Sequence, residues 1–241
     1  MTITSPQNEK LKLIQRLARR RIRDREGLFV TEGEDLLAAA RAAGEEPVEL
    51  LTAAGEALGG TEVEPALLDR FSSLGSGTRA IGIWHQLWAE QPIAPAVYLH
   101  ATSDPGNVGT LVRTAHALVG GSVVLGPDCA DPYGPRAVRA SMGAVFAEPL
   151  IRAGVDATPQ PRAALVAHGG EPLEALDGAA TVCLGAEREG LPDDVLSECE
   201  VQVTIPLREG AESLNVAAAA AIALQRISSP ANKGKAADGD D

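Results

Sequence analysis

The sequence predicts an α/β protein, with a mostly parallel sheet covered by helices in its carboxyl-terminal part and a smaller α/β unit before it. Three observations predict this. From residue 97 onward, short apolar runs alternate with helix-forming stretches, the pattern of parallel strands joined by helical crossovers. A polar stretch with two prolines, Ala89-Glu-Gln-Pro-Ile-Ala-Pro95, interrupts the chain just before that pattern and reads as a linker. Near the carboxyl end, an apolar strand (Val201, Val203, Ile205) stops at Pro206 and gives way to a helix with five consecutive alanines. Proline cannot donate to a strand ladder, and alanine is the best helix former with almost no bulk.

In chain order, Ser5-Pro6 reads as a helix cap followed by proline at the first helical position, with Leu11, Ile14, Leu17 and Ala18 as a buried stripe. Leu28–Val30 is a short strand, and Thr31–Asp35 opens a helix, Leu36–Ala43, that Gly44 ends. A strand at Pro47–Leu51, a helix at Pro65–Ser72 and a strand at Ala80–Trp84 complete the first unit. Beyond the linker, strands are expected at Val97–Thr102, Ser122–Leu125, Ala163–Ala167, Thr181–Gly185 and Val201–Ile205. Helices are expected at Gly106–Val119, Pro135–Met142 and Asn215–Ile227. The domain boundaries are thus 1–88, a linker at 89–96, a second domain at 97–227, and a polar tail at 228–241 too poor in apolar residues to fold.

A chain of 241 residues that is 45% hydrophobic can bury a sizeable core. With aromatics at 3%, base stacking is not its main binding device. No apolar run is long enough for a membrane span, and the opening residues lack a signal-peptide pattern. Cys129, Cys183 and Cys199 are far apart and read as reduced core residues of a cytoplasmic protein. No cysteine–histidine spacing suits a metal. Residues 10–25 hold eight cations against Asp24, a net +7, while the rest of the chain carries −19, which together make the overall −12. Such asymmetry predicts a local anion-binding face on an acidic protein.

Three stretches carry the candidate chemistry. In Asp104-Pro-Gly-Asn-Val-Gly-Thr-Leu-Val-Arg113, Asp104 and Pro105 start a helix whose stripe is Val108, Leu111, Val112, Ala115, Leu118 and Val119. Arg113 falls opposite that stripe with Gly109 beside it, and Asn107 sits in the first turn. In Leu184-Gly-Ala-Glu-Arg-Glu-Gly-Leu191, Gly185 and Gly190 frame a turn at a strand's carboxyl end, where open α/β sheets bind ligands, and Glu187 is the nearest acid. No GxGxxG fingerprint is present. In Ile205-Pro-Leu-Arg-Glu-Gly-Ala-Glu-Ser-Leu-Asn-Val216, Ser213 or Asn215 is placed to cap the last helix or to line a pocket.

Taken in order, these three motifs resemble the SpoU (TrmH-type) RNA ribose 2′-O-methyltransferases of the SPOUT superfamily. Arg139-Ala-Ser-Met-Gly143 matches a further stretch of that family, and the run Ser5-Pro-Gln-Asn to Phe29-Val-Thr-Glu-Gly33 resembles its RNA substrate-binding domain. The resemblance covers nearly all of the chain except the tail. It implies a SPOUT domain with a deep trefoil knot, which the slim run Ala217–Ala221 would suit, a homodimer through that domain, and S-adenosylmethionine as methyl donor. It implies Gly185, Ile205, Leu207 and Leu214 at the donor, and Asn107, Arg113, Glu187, Ser213 and Asn215 as catalytic residues. Arg16, Arg19, Arg20 and Arg23 are the expected RNA contacts. Ribosomal RNA is the expected substrate. Transfer RNA, or a non-catalytic RNA- or ribosome-binding role on the same fold, is the alternative. Ala186 stands where the family often has a polar residue, and the overall acidity departs from an RNA enzyme's usual balance.

Overall fold

The computed structural model describes residues 2–228. In chain order its elements are α1 (Glu9–Leu17), α2 (Arg20–Glu26), β1 (Leu28–Glu32), α3 (Glu34–Ala42), β2 (Glu49–Ala53), β3 (Thr61–Val63), α4 (Pro65–Phe71) and β4 (Ala80–His85). These are followed by β5 (Ala96–Leu99), α5 (Pro105–Leu118), β6 (Ser122–Leu125), α6 (Pro135–Ser141), β7 (Leu150–Arg152) and β8 (Arg162–Leu165). The chain closes with β9 (Thr181–Leu184), α7 (Asp193–Leu196), β10 (Val201–Val203) and α8 (Val216–Ser228). Ser228 thus ends a helix, and the rest of the expected tail lies outside the described residues.

Two compact units divide the chain. One holds Met1–Leu87 together with Asp131–Ala147, and the other holds Trp88–Ala130 and the chain from Glu148 on. A single boundary near residue 88 therefore does not describe the division, because residues 131–147 belong with the first unit. The reason is aromatic packing. Phe29 lies with its ring centroid 4.7 Å from Tyr133 and 5.5 Å from Phe146, and Trp84 meets Phe146 edge-on at 4.9 Å. The Tyr133 hydroxyl donates to Leu87 O at 2.6 Å and accepts from Leu87 N at 2.8 Å.

The first unit has a mixed sheet ordered β1-β4-β2-β3, packed on α1 and α4 through Leu11, Ile14, Leu17, Leu51, Leu67, Leu68 and Ile81. The expected stripe of α1 is buried at those positions except for Ala18, which is exposed where the helix breaks before α2. The cap of α1 is Asn8, whose side chain accepts from Lys10 N at 2.9 Å, and Ser5 instead makes a local turn to Gln7 N. Arg23 is 4% exposed. Its Nε and Nη2 donate to one carboxylate oxygen of Asp131 at 2.9 and 2.6 Å, and its Nη1 donates to the carbonyls of Leu17 and Ala18 at 2.8 and 2.9 Å. This corrects the sequence-based assignment of Arg23 to the RNA-facing set: its charge is spent inside the unit.

The second unit is a parallel sheet throughout, ordered β10-β8-β9-β5-β6-β7. Tyr98, Val124, Ile151, Ala164 and Cys183 cluster with Leu191 and Val195 on it. Helices α5 and α8 pack on each other, α5 also on β6 and α8 also on β9. Gly109, which the helical wheel sets beside Arg113 on the outer side, is buried along with Val108, Leu111, Val112 and Ala115. The register that matters for function is at one end. Strands β10, β8 and β9 are neighbours running the same way, so the loops after Leu165, Leu184 and Val203 leave the same sheet edge side by side.

Candidate active site

Those three loops enclose a cleft of about 320 Å³, toward the small end of ligand sites, which span roughly 300–1,000 Å³. Its apolar wall is Leu165, Leu184, Ile205, Leu207, Leu214 and Val216, and Ala219 closes it from α8. Charge is confined to the hairpin after β9, where Glu187, Arg188 and Glu189 line the cleft.

The hairpin is built on two glycines. Ala186 N donates to Gly190 O at 3.1 Å and Gly190 N donates to Ala186 O at 2.9 Å, with Gly190 at φ 71. A Cβ on Gly185 would lie 2.1 Å from Gly190 C, 2.3 Å from Gly190 O and 2.4 Å from Leu191 N. Only a glycine lets the turn close at this point.

A chain of side-chain amides fastens the hairpin to two helix starts. Asn215 Oδ1 accepts from Ala217 N at 2.9 Å and Ala218 N at 3.4 Å, capping α8. Its Nδ2 donates to Asn107 Oδ1 at 3.2 Å. Asn107 Nδ2 in turn donates to a carboxylate oxygen of Glu187. Asn107 is itself fixed in the first turn of α5, where its N–H donates to Asp104 Oδ1 at 2.9 Å. Of the two roles left open in the sequence, Asn215 takes the cap of α8 and is tied to Asn107, while exposed Ser213 lines the cleft.

The four residues expected at a donor, Gly185, Ile205, Leu207 and Leu214, all line the cleft, and so do Glu187 and Ser213. Asn107 is tied to the cleft through Glu187, and Asn215 through Asn107. Arg113 stands apart. It is exposed on α5, six residues past Asn107, and its side chain makes no hydrogen bond or ion pair among the described residues. That spacing turns it about 240° around the axis and roughly 9 Å along it. The contribution of Leu165-Val-Ala167 to the wall was missed from sequence. The available signal was its position at the carboxyl end of a strand beside the glycine hairpin's own. Cys183, two residues before Gly185, is buried; its hydrogen bond with Cys199, and then burial, push its thiol above the usual range. Among the described residues, no group of His, Cys, Asp and Glu is placed to hold a metal ion, and no helix is long and apolar enough to cross a membrane.

Residues 94–225 match the model of the SpoU rRNA Methylase family, and residues 8–72 match that of the MRM3-like substrate binding domain. The chain is 32% identical over 153 residues to the 23S rRNA (guanosine(2553)-2′-O)-methyltransferase RlmP of Bacillus subtilis, covering 57% of this chain and 60% of that protein. It is 37% identical over 140 residues to an uncharacterized tRNA/rRNA methyltransferase of Mycobacterium bovis, covering 52% and 49%. The chain thus spans about half to three-fifths of the length of these two relatives. Among solved structures, an AdoMet-bound rRNA methyltransferase from Sinorhizobium meliloti superposes with a TM-score of 0.83 at 28% identity, covering 94% of this chain and 96% of that one. The parallel sheet, the glycine-framed cleft at its carboxyl edge and the family match over 94–225 agree, and the chain belongs to the SpoU rRNA Methylase family.

Proposed function

We propose that this protein is an S-adenosylmethionine-dependent RNA 2′-O-ribose methyltransferase acting on ribosomal RNA. The observation that carries the reading is the convergence of the glycine hairpin, the Ile205–Val216 loop and the amide chain from α5 and α8 on one cleft. The cleft suits the donor: a close backbone approach that a Cβ at Gly185 would block, an apolar wall for an adenine, and few fixed charges. When bound, the donor supplies an electrophilic methyl group on a sulfonium. Gly185, Ile205, Leu207 and Leu214 would hold it. Only RNA offers the ribose 2′-hydroxyl as acceptor. The names of the Bacillus and Sinorhizobium relatives favour ribosomal over transfer RNA. The reading includes a homodimer through the carboxyl-terminal domain, a threaded final helix and action in the cytoplasm.

Methyl transfer from labelled donor to purified ribosomal and transfer RNA tests it. The label is expected in ribosomal RNA at a ribose 2′-oxygen. Transfer confined to tRNA would move the substrate assignment, and donor binding without any transfer would leave a non-catalytic RNA-binding protein.

Arg113 is assigned to a phosphate of the substrate. A guanidinium stays protonated and grips phosphate through two parallel donors, which lysine cannot do. Its exposure and lack of a side-chain partner among the described residues leave it available. Arg113→Lys should cut turnover roughly 100-fold while calorimetry finds donor affinity unchanged.

The RNA-facing set loses Arg23 and takes in Arg21, because the fold leaves Arg21 outside. Arg16, Arg19 and Arg21 are exposed, and their side chains make no hydrogen bond or ion pair among the described residues. Arg20 is exposed but lies 3.6 Å from Asp24. Replacing Arg16, Arg19 and Arg21 together with alanine should lower the slope of log affinity against log salt by about 2 to 3, at roughly 0.7–0.9 per phosphate contact. An unchanged slope would place the RNA elsewhere.

A further inference from the structure

The chain of amides at the cleft runs in one direction only. Asn215 Oδ1 is occupied by the N–H groups of Ala217 and Ala218, so turning the amide over would set its NH2 against two donors. Its Nδ2 must therefore donate, and Asn107 Oδ1 receives it. With that oxygen engaged, Asn107 can only donate through Nδ2, and it does so to Glu187. The chain ends on a group required to be an acceptor. The second carboxylate oxygen of Glu187 has no partner among the described residues, and the side chain lines the cleft. Arg113, the other charged residue of the expected catalytic set, cannot accept a proton.

Resting on the methyltransferase reading above, we infer that Glu187 receives the proton of the ribose 2′-hydroxyl, with Asn107 as its positioning residue and Asn215 fixing the direction of Asn107. In the balanced step, the hydroxyl proton passes to the free carboxylate oxygen of Glu187 as the ribose oxygen bonds to the methyl carbon, and the donor's sulfur keeps the electron pair of the bond that breaks. Glu187 is exposed, so the proton then leaves to solvent. A positioned general base contributes about 10²–10⁴-fold.

The test uses the full chain. Glu187→Gln keeps an oxygen to accept from Asn107 but removes the base. Its donor affinity by calorimetry is expected within about threefold of the parent, and its single-turnover methylation should fall by about 100-fold or more. Asn107→Asp sets two carboxylates against each other and should weaken donor binding by loosening the hairpin. Adding Glu187→Gln restores the hydrogen bond with its direction reversed, the new amide at position 187 donating to the new carboxylate at position 107, so donor binding should recover while turnover stays low. The side-chain amide protons of Asn107, followed by ¹⁵N NMR, should shift in Glu187→Ala and move little in Glu187→Gln. Near-parental turnover in Glu187→Gln, loss of donor binding in that variant, or failure of the double variant to recover binding would each overturn the inference. If the parent itself methylates no RNA, the functional reading fails instead, and the NMR and binding results still report on the amide chain.

Discussion

Gly185→Ala is expected to weaken donor binding by up to about 140-fold while the protein still folds. The added Cβ would sit 2.1–2.4 Å from three backbone atoms of Gly190 and Leu191. None can swing aside as a flexible side chain would, because the paired hydrogen bonds between Ala186 and Gly190 hold that backbone in place. The hairpin has to open, and the cleft loses its floor. Overpacking of this kind costs about 1–3 kcal/mol, or roughly 5- to 140-fold in affinity, and contact with backbone alone puts the effect at the upper end. Gly190 supplies the control. Its φ of 71 is left-handed, but open space surrounds its missing Cβ. Asparagine tolerates that conformation, so Gly190→Asn should bind the donor within about threefold of the parent, less than about 0.7 kcal/mol. Calorimetry on the pair decides; equal affinities for Gly185→Ala and the parent would remove the hairpin from the donor site.

The second large effect is on stability. Arg23→Ala leaves Asp131 as a buried carboxylate without its cation and frees the carbonyls of Leu17 and Ala18 at the end of α1. Breaking one half of a buried ion pair costs about 3–5 kcal/mol, and the first unit's unfolding midpoint should fall by roughly 10 °C or more. Arg23→Lys should not rescue it, since an ammonium cannot reach the carboxylate and two carbonyls with the same fork. The double variant Arg23→Met, Asp131→Leu should recover most of the loss, because matched apolar groups need no solvation. Calorimetric scans of the four proteins test this. A drop below about 1 kcal/mol for Arg23→Ala would mean that water reaches the pair.

Arg23 also shows where sequence reading stops. A run of eight cations announces a basic face, but nothing in the run marks which cation turns inward, and its partner lies 108 residues away. The parallel sheet was legible because each strand is a short apolar run followed by a turn and a helix. The strands that escaped, β3 and β7, are three residues long. Within β3 only Val63 is buried, and β7 is an edge strand, so neither has room to display a period. Helix α7, a single turn of four residues, is hidden for the same reason. At the site, Gly185, Ile205, Leu207 and Leu214 were readable as motif positions. The hydrogen bonds that join Glu187, Asn107 and Asn215 span separations of 80 and 108 residues and belong to the folded sheet alone.

The division of the chain bears on how the protein is made. The first unit needs Tyr133 and Phe146 in its core, and Ala147, its last residue, is translated sixty residues after Leu87. At elongation rates of roughly 5–20 residues per second that interval is about 3–12 s. During it the amino-terminal portion waits on the ribosome with an open aromatic socket around Phe29 and Trp84, while the first strands of the following sheet emerge. The amino-terminal unit is therefore not a head start for the nascent chain, and a gene fusion that transplanted residues 1–87 alone would carry over an unfinished unit.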